Sequence, residues 1–382
     1  MVSEAAVVSS PTSRLAFGPW LFGARVDLSL FLGSAVLALL LVALGHLVGL
    51  GDDALPEWGF LAFVLAIDVA HVYATLFRTY LDREELCRHP LRYALVPVGS
   101  YLVGVALHLS DSLTFWRVLA YAALFHFVRQ QVGWVAVYRA RGKQRGRVDR
   151  LLDDAAIYAA TLYPVIEWHA HLAQTRFAWF IKGDFVDLGS VAASSVTPAR
   201  ALWAIVLFGF CLRQVMLARQ SGVLELGKIV VVLTTAAVWY VGIVVMNSDF
   251  DFTVTNVIAH GVPYMALLWV YSRERAKEAP KLVGSQIVAG GVGAFLGLLL
   301  LLAFLEELVW DRLVFRDHEW LFGAGGLELG PLALSLVVPL LAVPQATHYV
   351  LDGLLWRQSD TRTRPAQRKA LGFAATGPAN SP

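Results

Sequence analysis

The sequence predicts an all-α fold: a polytopic membrane helix bundle of about ten transmembrane helices with both termini in the cytoplasm. Three observations predict it. The 382 residues are 57% hydrophobic and only 16% charged, which is more apolar side chain than one soluble core of this size can bury. Apolar runs long enough to span a bilayer recur along the whole chain. Lysine and arginine are concentrated in alternate connections between these runs.

The ten predicted helices follow one another with connections too short for a soluble domain. They are expected at 27–50, 57–81, 92–109, 114–138, 152–172, 198–218, 224–246, 253–271, 284–305 and 331–356. Residues 1–26 are predicted to be an N-terminal cytoplasmic segment, 27–357 a single transmembrane domain, and 358–382 a disordered cytoplasmic tail. The glycines of VAGGVGAFLG, in the ninth helix, are expected to be helix-packing positions.

The orientation of the helices follows from the charge of the connections. DREELCRHPLR, RARGKQRGRVDR, RQSG and SRERAKEAPK are basic, whereas GDDALPEW, HLSDS and NSDFDF are poor in positive charge. The positive-inside rule then places both termini in the cytoplasm. We therefore expect a multi-pass protein of a bacterial inner membrane, surrounded by membrane lipids. The net charge of +2 is too small to indicate binding to nucleic acid.

The second predicted helix contains an unexpected polar stripe. Asp68, His71, Thr75, Arg78 and Asp82 are spaced by three, four, three and four residues, which places them on one helix face. An ionisable side chain at bilayer depth is unfavourable by about 2.5 kcal/mol or more, so it normally faces the protein interior. The stripe therefore predicts one wall of a buried polar site.

Three further helices carry a histidine with a polar partner on the same face. These residues are His126 with Gln130 in the fourth helix, Asn256, His260 and Tyr264 in the eighth, and His348 with Asp352 in the tenth. Amide, hydroxyl and carboxylate neighbours orient an imidazole ring, which is what a metal ligand requires. The four histidines also share a depth, because about 9 to 13 residues separate each from the first arginine at its cytoplasmic end, or about 14 to 20 Å. This predicts one shared centre.

The fifth predicted helix ends in EWHAH, which contains Glu167, His169 and His171. Glu167 and His171 are one helical turn apart, and the cluster lies nearer the outer face than the four histidines. It would complete the central site if the helix breaks near Pro164. Otherwise it forms a separate external site or lies at the membrane interface.

Neutral imidazoles with one or two carboxylates suit iron, zinc, copper or manganese. The candidate metal ligands are His71, His126, His260, His348, Asp352, Glu167, His169 and His171, and the candidate catalytic residues are Asp68, Arg78, Gln130, Asn256 and Tyr264. Non-haem iron, mononuclear or dinuclear, is the predicted cofactor, with zinc, copper and haem as alternatives.

A site inside the membrane implies a lipid-soluble substrate, such as an acyl lipid, an isoprenoid, a carotenoid or a quinone. We therefore predict a membrane-bound, metal-dependent oxidoreductase that activates oxygen and hydroxylates, desaturates or cleaves its substrate. Trp134 and Tyr264 lie within two turns of a core histidine, and we expect them to line the substrate cavity.

This arrangement resembles that of multi-histidine integral-membrane iron oxygenases, including the Brp/Blh-type carotenoid-cleaving dioxygenases and the membrane hydroxylases and desaturases. The resemblance lies in histidines contributed by several transmembrane helices, and it implies iron and oxidation of a lipid. The HxxxH and HxxHH boxes of the desaturases are absent, and the HAH of EWHAH is the only tight pair. No residue role is therefore taken from these families.

Three other functions use similar residues. An ion- or proton-coupled transporter also has buried Asp, Arg and His residues and proline-broken helices. A haem- or quinone-linked redox protein has opposed histidines. A metal-free acyl or glycosyl transferase has a membrane histidine as its base, although it needs only one histidine of the four.

Overall fold

The computed structural model describes residues 15–50, 54–143, 146–356 and 365–373, and it contains a long helix at each of the ten predicted positions. We number these helices α1 Ala24–Leu47, α2 Glu57–Arg78, α3 Pro90–Ser110, α4 Ser112–Arg141, α5 Arg147–Ala170, α6 Gly189–Ser221, α7 Leu226–Val245, α8 Asp249–Glu278, α9 Val292–Phe315 and α10 Pro331–Leu355. The all-α prediction is confirmed: in the described ranges, strand is limited to Ala16–Phe17 and Val223–Leu224, which pair in parallel.

Eight of the ten helices are long and apolar enough to cross a membrane, and the remaining two, α4 and α5, are comparably long but more polar. Large apolar side chains such as Leu40, Leu102 and Phe208 point outward from α1, α3 and α6. Polar side chains such as His126 and Gln130 are buried inside the bundle. Apolar residues outside and polar residues inside are the distribution expected of helices packed in lipid. The direction in which the bundle crosses a membrane stays a prediction.

Helix α2 changes its winding before it ends, and this alters the predicted polar stripe. Its backbone is π-helical over Phe60–Val69, α-helical over Ala70–Ala74 and 3₁₀-helical over Thr75–Arg78. The helix therefore ends at Arg78 rather than at 81. Asp82 does not share its face, because the carboxylate of Asp82 instead caps the short helix Arg83–Arg88 and accepts a bond from the Glu85 N–H at 3.2 Å.

The predicted ninth helix, 284–305, is divided in the structure. A short helix, Val283–Ala289, stops at a glycine pair, and α9 begins at Val292. Gly291 adopts φ +87°, a left-handed conformation that glycine reaches without strain. Gly290 and Gly291 therefore break the helix instead of packing it. Because α9 starts later and extends to Phe315, Glu306 falls within it.

Helix α8 lies at the centre of the bundle, where it packs against α1, α2 and α7, while α10 packs against α2, α3 and α4. Gly261 permits the close approach of α8 to α2: a Cβ atom at this position would lie 2.6 Å from Cγ2 of Ile67 and 3.6 Å from Cβ of His71. A larger residue at Gly261 would therefore separate α8 from α2.

Residues 365–373 correct the prediction of a disordered tail. Pro365–Ala370 form a short helix that packs on α8. The side chain of Gln367 is fully buried, donates to the carbonyl of Leu355 at 3.1 Å, and accepts from Nη2 of Arg78 at 2.9 Å. Ala366 and Ala370 of this short helix are buried and small enough to allow the close packing. The prediction of disorder rested on the polar composition of the whole tail and therefore overlooked them. Residues 357–364 and 374–382 of the predicted tail lie outside the described residues.

Candidate metal centre

The structure brings together four histidines from four helices. His71 lies on α2, His126 on α4, His260 on α8 and His348 on α10, and every one of these side chains is buried. One ring nitrogen from each histidine lies within 4.8 Å of the other three. The helices that carry them are therefore neighbours, which their spacing in the sequence could not establish.

The Nε2 atoms of the four rings converge in pairs. Nε2 of His71 lies 3.2 Å from Nε2 of His260, and Nε2 of His126 lies 3.1 Å from Nε2 of His348. A metal–imidazole bond is about 2.0–2.1 Å long, so two ligands at right angles on one ion are about 3 Å apart. The paired distances therefore match ligands that share one metal ion.

The outer nitrogens of three rings face hydrogen-bonding groups. Nδ1 of His348 lies 2.7 Å from the Thr75 hydroxyl, which also contacts the Tyr264 hydroxyl at 3.0 Å. Nδ1 of His71 lies 3.7 Å from a carboxylate oxygen of Asp68. A proton on Nδ1, toward these groups, would leave the lone pair of Nε2 directed at the other histidines.

His126 is arranged in the same way, because its Nδ1 lies 3.7 Å from a carboxylate oxygen of Asp352. Nε2 atoms 3.1–3.2 Å apart either share a proton in an N–H···N hydrogen bond or direct both lone pairs at a bound cation. The donor set therefore fits a metal ion. The carboxylates of Asp68 and Asp352 lie behind the rings at 3.7 Å, within ion-pair distance but beyond a hydrogen bond.

Aromatic rings hold two of the imidazole planes. Phe127 stacks on His260 with ring centroids 3.6 Å apart and an interplanar angle of 8°. Tyr349 stacks on His126 at 5.0 Å and 26°. These contacts restrict rotation of the rings, so the site is held in shape by packing as well as by hydrogen bonds.

Two of the predicted catalytic residues have other partners. Arg78 is fully buried, but its guanidinium lies 3.3 Å from Glu85 and 5.1 Å from the ring centre of Tyr271. Asn256, one turn before His260, donates to the carbonyl of Phe252 at 2.9 Å. These contacts give Arg78 and Asn256 structural partners outside the four histidines.

The EWHAH cluster is not part of this group. Helix α5 runs through Pro164 to Ala170, so the break that would bring the cluster into the centre is absent. The two nitrogens of His169 contact a backbone carbonyl one turn back at 2.7 Å and the Tyr121 hydroxyl at 2.8 Å. Glu167 and His171 lie 3.5 Å apart, in contact with each other. The cluster is therefore separate from the four histidines.

Sequence reasoning missed Glu306 on α9. This side chain is 7% exposed and accepts a bond from the Trp310 indole at 3.3 Å. It also interacts electrostatically with Asp68, the carboxylate behind His71. The two adjacent glutamates in FLEELVW were the available signal, but the predicted helix ended one residue before them.

A cavity of about 720 Å³ adjoins one of the four histidines, His126. Its wall includes His126 and Trp134 of α4, Tyr264 of α8, and Leu371 and Phe373 of the C-terminal segment. Trp134 and Tyr264 are the two aromatic residues expected to line a substrate cavity, and the structure places both on this wall. The cavity therefore connects an apolar space directly to a histidine of the centre.

Comparison with protein-family models, with curated proteins and with solved structures finds no match to this chain. The resemblance to multi-histidine membrane oxygenases therefore concerns the arrangement of the histidines alone. Function has to be inferred from the geometry of the centre and of the cavity beside it.

Proposed function

We propose that this chain is an integral-membrane metalloenzyme, an iron-dependent oxygenase that hydroxylates, desaturates or cleaves a lipid-soluble substrate. The observation that carries the proposal is the convergence of four buried imidazoles beside an apolar cavity. A buried, preformed donor set binds a metal, and an apolar cavity at its edge binds a lipid.

The exposed apolar faces of the bundle support a location in a membrane. In the proposed orientation, the basic connections and both termini face the cytoplasm of a bacterial cell. Phe125 of α4 and Val350 of α10 both line the cavity and are exposed on the outside of the bundle. A substrate dissolved in the bilayer would therefore enter between α4 and α10, directly from the lipid.

Iron is the proposed metal because imidazole suits it and because the four converging nitrogens carry no charge. When bound, iron would supply the redox chemistry with dioxygen that protein side chains lack. His71, His126, His260 and His348 would hold it. Asp68 and Asp352 lie behind two of these rings, so a mononuclear site requires no further protein ligand. Zinc and copper suit the same donors, and analysis of the bound metal distinguishes them.

The geometry disfavours two of the rival functions. A haem held by two opposed histidines needs the plane of a porphyrin between them, and four nitrogens within 4.8 Å leave no space for it. A metal-free transferase needs a single histidine as base, which leaves the convergence of the other three without a purpose. A transporter is distinguished by experiment, because its substrate flux in vesicles should survive chelation.

The test is the metal content of detergent-purified protein, measured by plasma mass spectrometry together with an absorption spectrum. We expect about one equivalent of non-haem iron per chain. Alanine at any one of the four histidines should abolish it. The matched control is His169→Ala, because His169 is also buried on a long helix but lies outside the group.

Three results would reject the proposal. A Soret band would identify haem instead of a mononuclear centre. An active preparation without metal, or one in which three of the four alanine variants remain active, would point to the transporter or the transferase.

A further inference from the structure

We propose that the cavity binds a lipid-soluble alcohol and that Gln130 holds the hydroxyl group of this alcohol beside His126. The inference rests on the proposed function, because it names the class of substrate that the metal centre would oxidise. The evidence is that Gln130 and Trp134, on a wall that also carries Arg129 and Asp352, have buried polar atoms without a hydrogen-bond partner among the described residues.

Gln130 lies one turn after His126 on α4 and lines the cavity. Its side chain is 7% exposed, and neither the oxygen nor the nitrogen of its amide has a partner among the described residues. A buried amide without hydrogen bonds is strongly unfavourable. An unpaired amide on the wall of a cavity therefore indicates a polar group of the ligand.

The adjacent glutamine provides an internal comparison. Gln131 is just as buried as Gln130, at 6% exposure, but it does not line the cavity, and its Oε1 accepts a bond from the Thr235 hydroxyl at 3.2 Å. The same residue type on the same helix is thus paired within the protein. Only the glutamine on the cavity wall is left for a ligand.

Trp134 repeats the pattern one turn further along α4. It is 4% exposed and lines the cavity, and its indole N–H has no partner in the described part of the chain. His126, Gln130 and Trp134 are four residues apart, so they lie on one helix face at intervals of about 6 Å. The hydrogen-bonding groups therefore begin one helical turn from the metal centre.

The chemistry of these groups favours a hydroxyl. Gln130 offers both a donor and an acceptor, and Trp134 offers a donor. A ketone or an ether only accepts hydrogen bonds and would leave the Gln130 oxygen unpaired. A carboxylate or phosphate also only accepts hydrogen bonds, and it needs a cation beside it. The arginine on this wall, Arg129, is exposed and donates to the Tyr158 hydroxyl at 2.9 Å, so it is already engaged.

The position of the hydroxyl also limits where the substrate reacts. A hydroxyl bound by Gln130 would lie about one helical turn, or 6 Å, from His126. The carbon atoms nearest the metal are then those close to the hydroxyl group, and the apolar remainder of the molecule fills the cavity.

The test is equilibrium binding of two radiolabelled probes, geranylgeraniol and its methyl ether, to the full chain in lipid nanodiscs. The ether has the same apolar body but cannot donate a hydrogen bond. We expect the wild-type protein to prefer the alcohol, and Gln130→Met to reduce this preference about fivefold to tenfold, the loss expected for one hydrogen bond. Gln131→Met, the matched control, should retain the preference.

Trp134→Phe is the second variant, because it removes the N–H while retaining an aromatic ring. It should weaken binding of both probes, since an ether oxygen also accepts from this N–H. The inference is overturned if wild-type protein binds the two probes equally, or if Gln130→Met retains the full preference for the alcohol.

Metal content measured on the same samples separates the two proposals. Bound iron without a preference for the alcohol overturns the alcohol site and leaves the metalloenzyme standing. A preference for the alcohol in protein that never binds metal overturns the proposed oxygenase but supports the alcohol site.

Discussion

Replacing Thr75 by valine removes one buried hydroxyl and changes little else, so it tests how the protein orients a histidine of the proposed metal centre. The Thr75 hydroxyl lies 2.7 Å from Nδ1 of His348 and 3.0 Å from the Tyr264 hydroxyl. Without it, the His348 ring loses the group that directs its Nε2 toward the other histidines. Loss of such a partner lowers metal affinity about 10- to 100-fold, which corresponds to about 1.4–2.7 kcal/mol.

Thr79→Val is the matched control. Thr79 lies one turn further along and is fully buried, but its hydroxyl donates to the backbone carbonyl of Thr75 at 2.8 Å and contacts no histidine. Metal affinity is measured by competition with a chelator of known affinity on detergent-purified protein. Thr75→Ser, which keeps the hydroxyl, should restore most of the loss. Equal metal affinities for Thr75→Val and Thr79→Val would refute the role of Thr75.

Three further substitutions test the packing around the centre. Gly261→Leu should destabilise the protein by about 1–3 kcal/mol through overpacking. It should also reduce bound metal, because it separates α2 from α8. The control is Gly209→Leu, which should do neither, because a Cβ atom added at Gly209 would have no described neighbour within 4 Å. Arg78→Met breaks the buried pair with Glu85 and should lower the free energy of unfolding by about 3–5 kcal/mol, seen as a lower midpoint of thermal unfolding. Asp352→Asn should weaken metal binding in the chelator assay, by less than alanine at any of the four histidines.

Each of these substitutions has a result that contradicts the structure. Equal stability of the Gly261→Leu and Gly209→Leu variants would mean that α2 and α8 are not in close contact. An Arg78→Met variant as stable as the wild type would mean that its ion pair is solvated. Unchanged metal affinity in Asp352→Asn would mean that the carboxylate of Asp352 does not help His126 to bind metal.

The helices and the four candidate histidines could be predicted because both depend on the spacing of residues close together in the sequence. Apolar runs of membrane length mark the helices, and a spacing of three or four residues places His348 and Asp352 on one face regardless of what that face contacts. Which faces meet was not predictable. The contact between His71 and His260 joins residues far apart in the chain. It depends on glycine at position 261, which has no side chain to hold α8 away from α2, and a single glycine leaves no periodic pattern in the sequence.

Helix ends and partners were the least predictable features. The end of α2 depends on whether Asp82 continues a helix or caps the next one, and the two options have the same local sequence. Glu306 was missed because the predicted ninth helix ended at 305. The true helix starts later, at Val292, after glycines that permit both close packing and a helix break, and only the tertiary structure decides between them. His169 was a candidate ligand because it lies in a cluster of polar residues on a long helix. In the structure, its two nitrogens instead contact the carbonyl of Val165 and the hydroxyl of Tyr121.

The C-terminal segment, which forms part of the cavity wall, is synthesised after all four histidines. All four histidines precede residue 349, whereas Leu371 and Phe373 belong to the last part of the chain that the structure describes. A nascent chain would therefore contain all four histidines before the cavity wall is complete. A protein shortened after Trp356 would keep the histidines but lack this wall, so binding of metal and retention of a lipid would become separable properties.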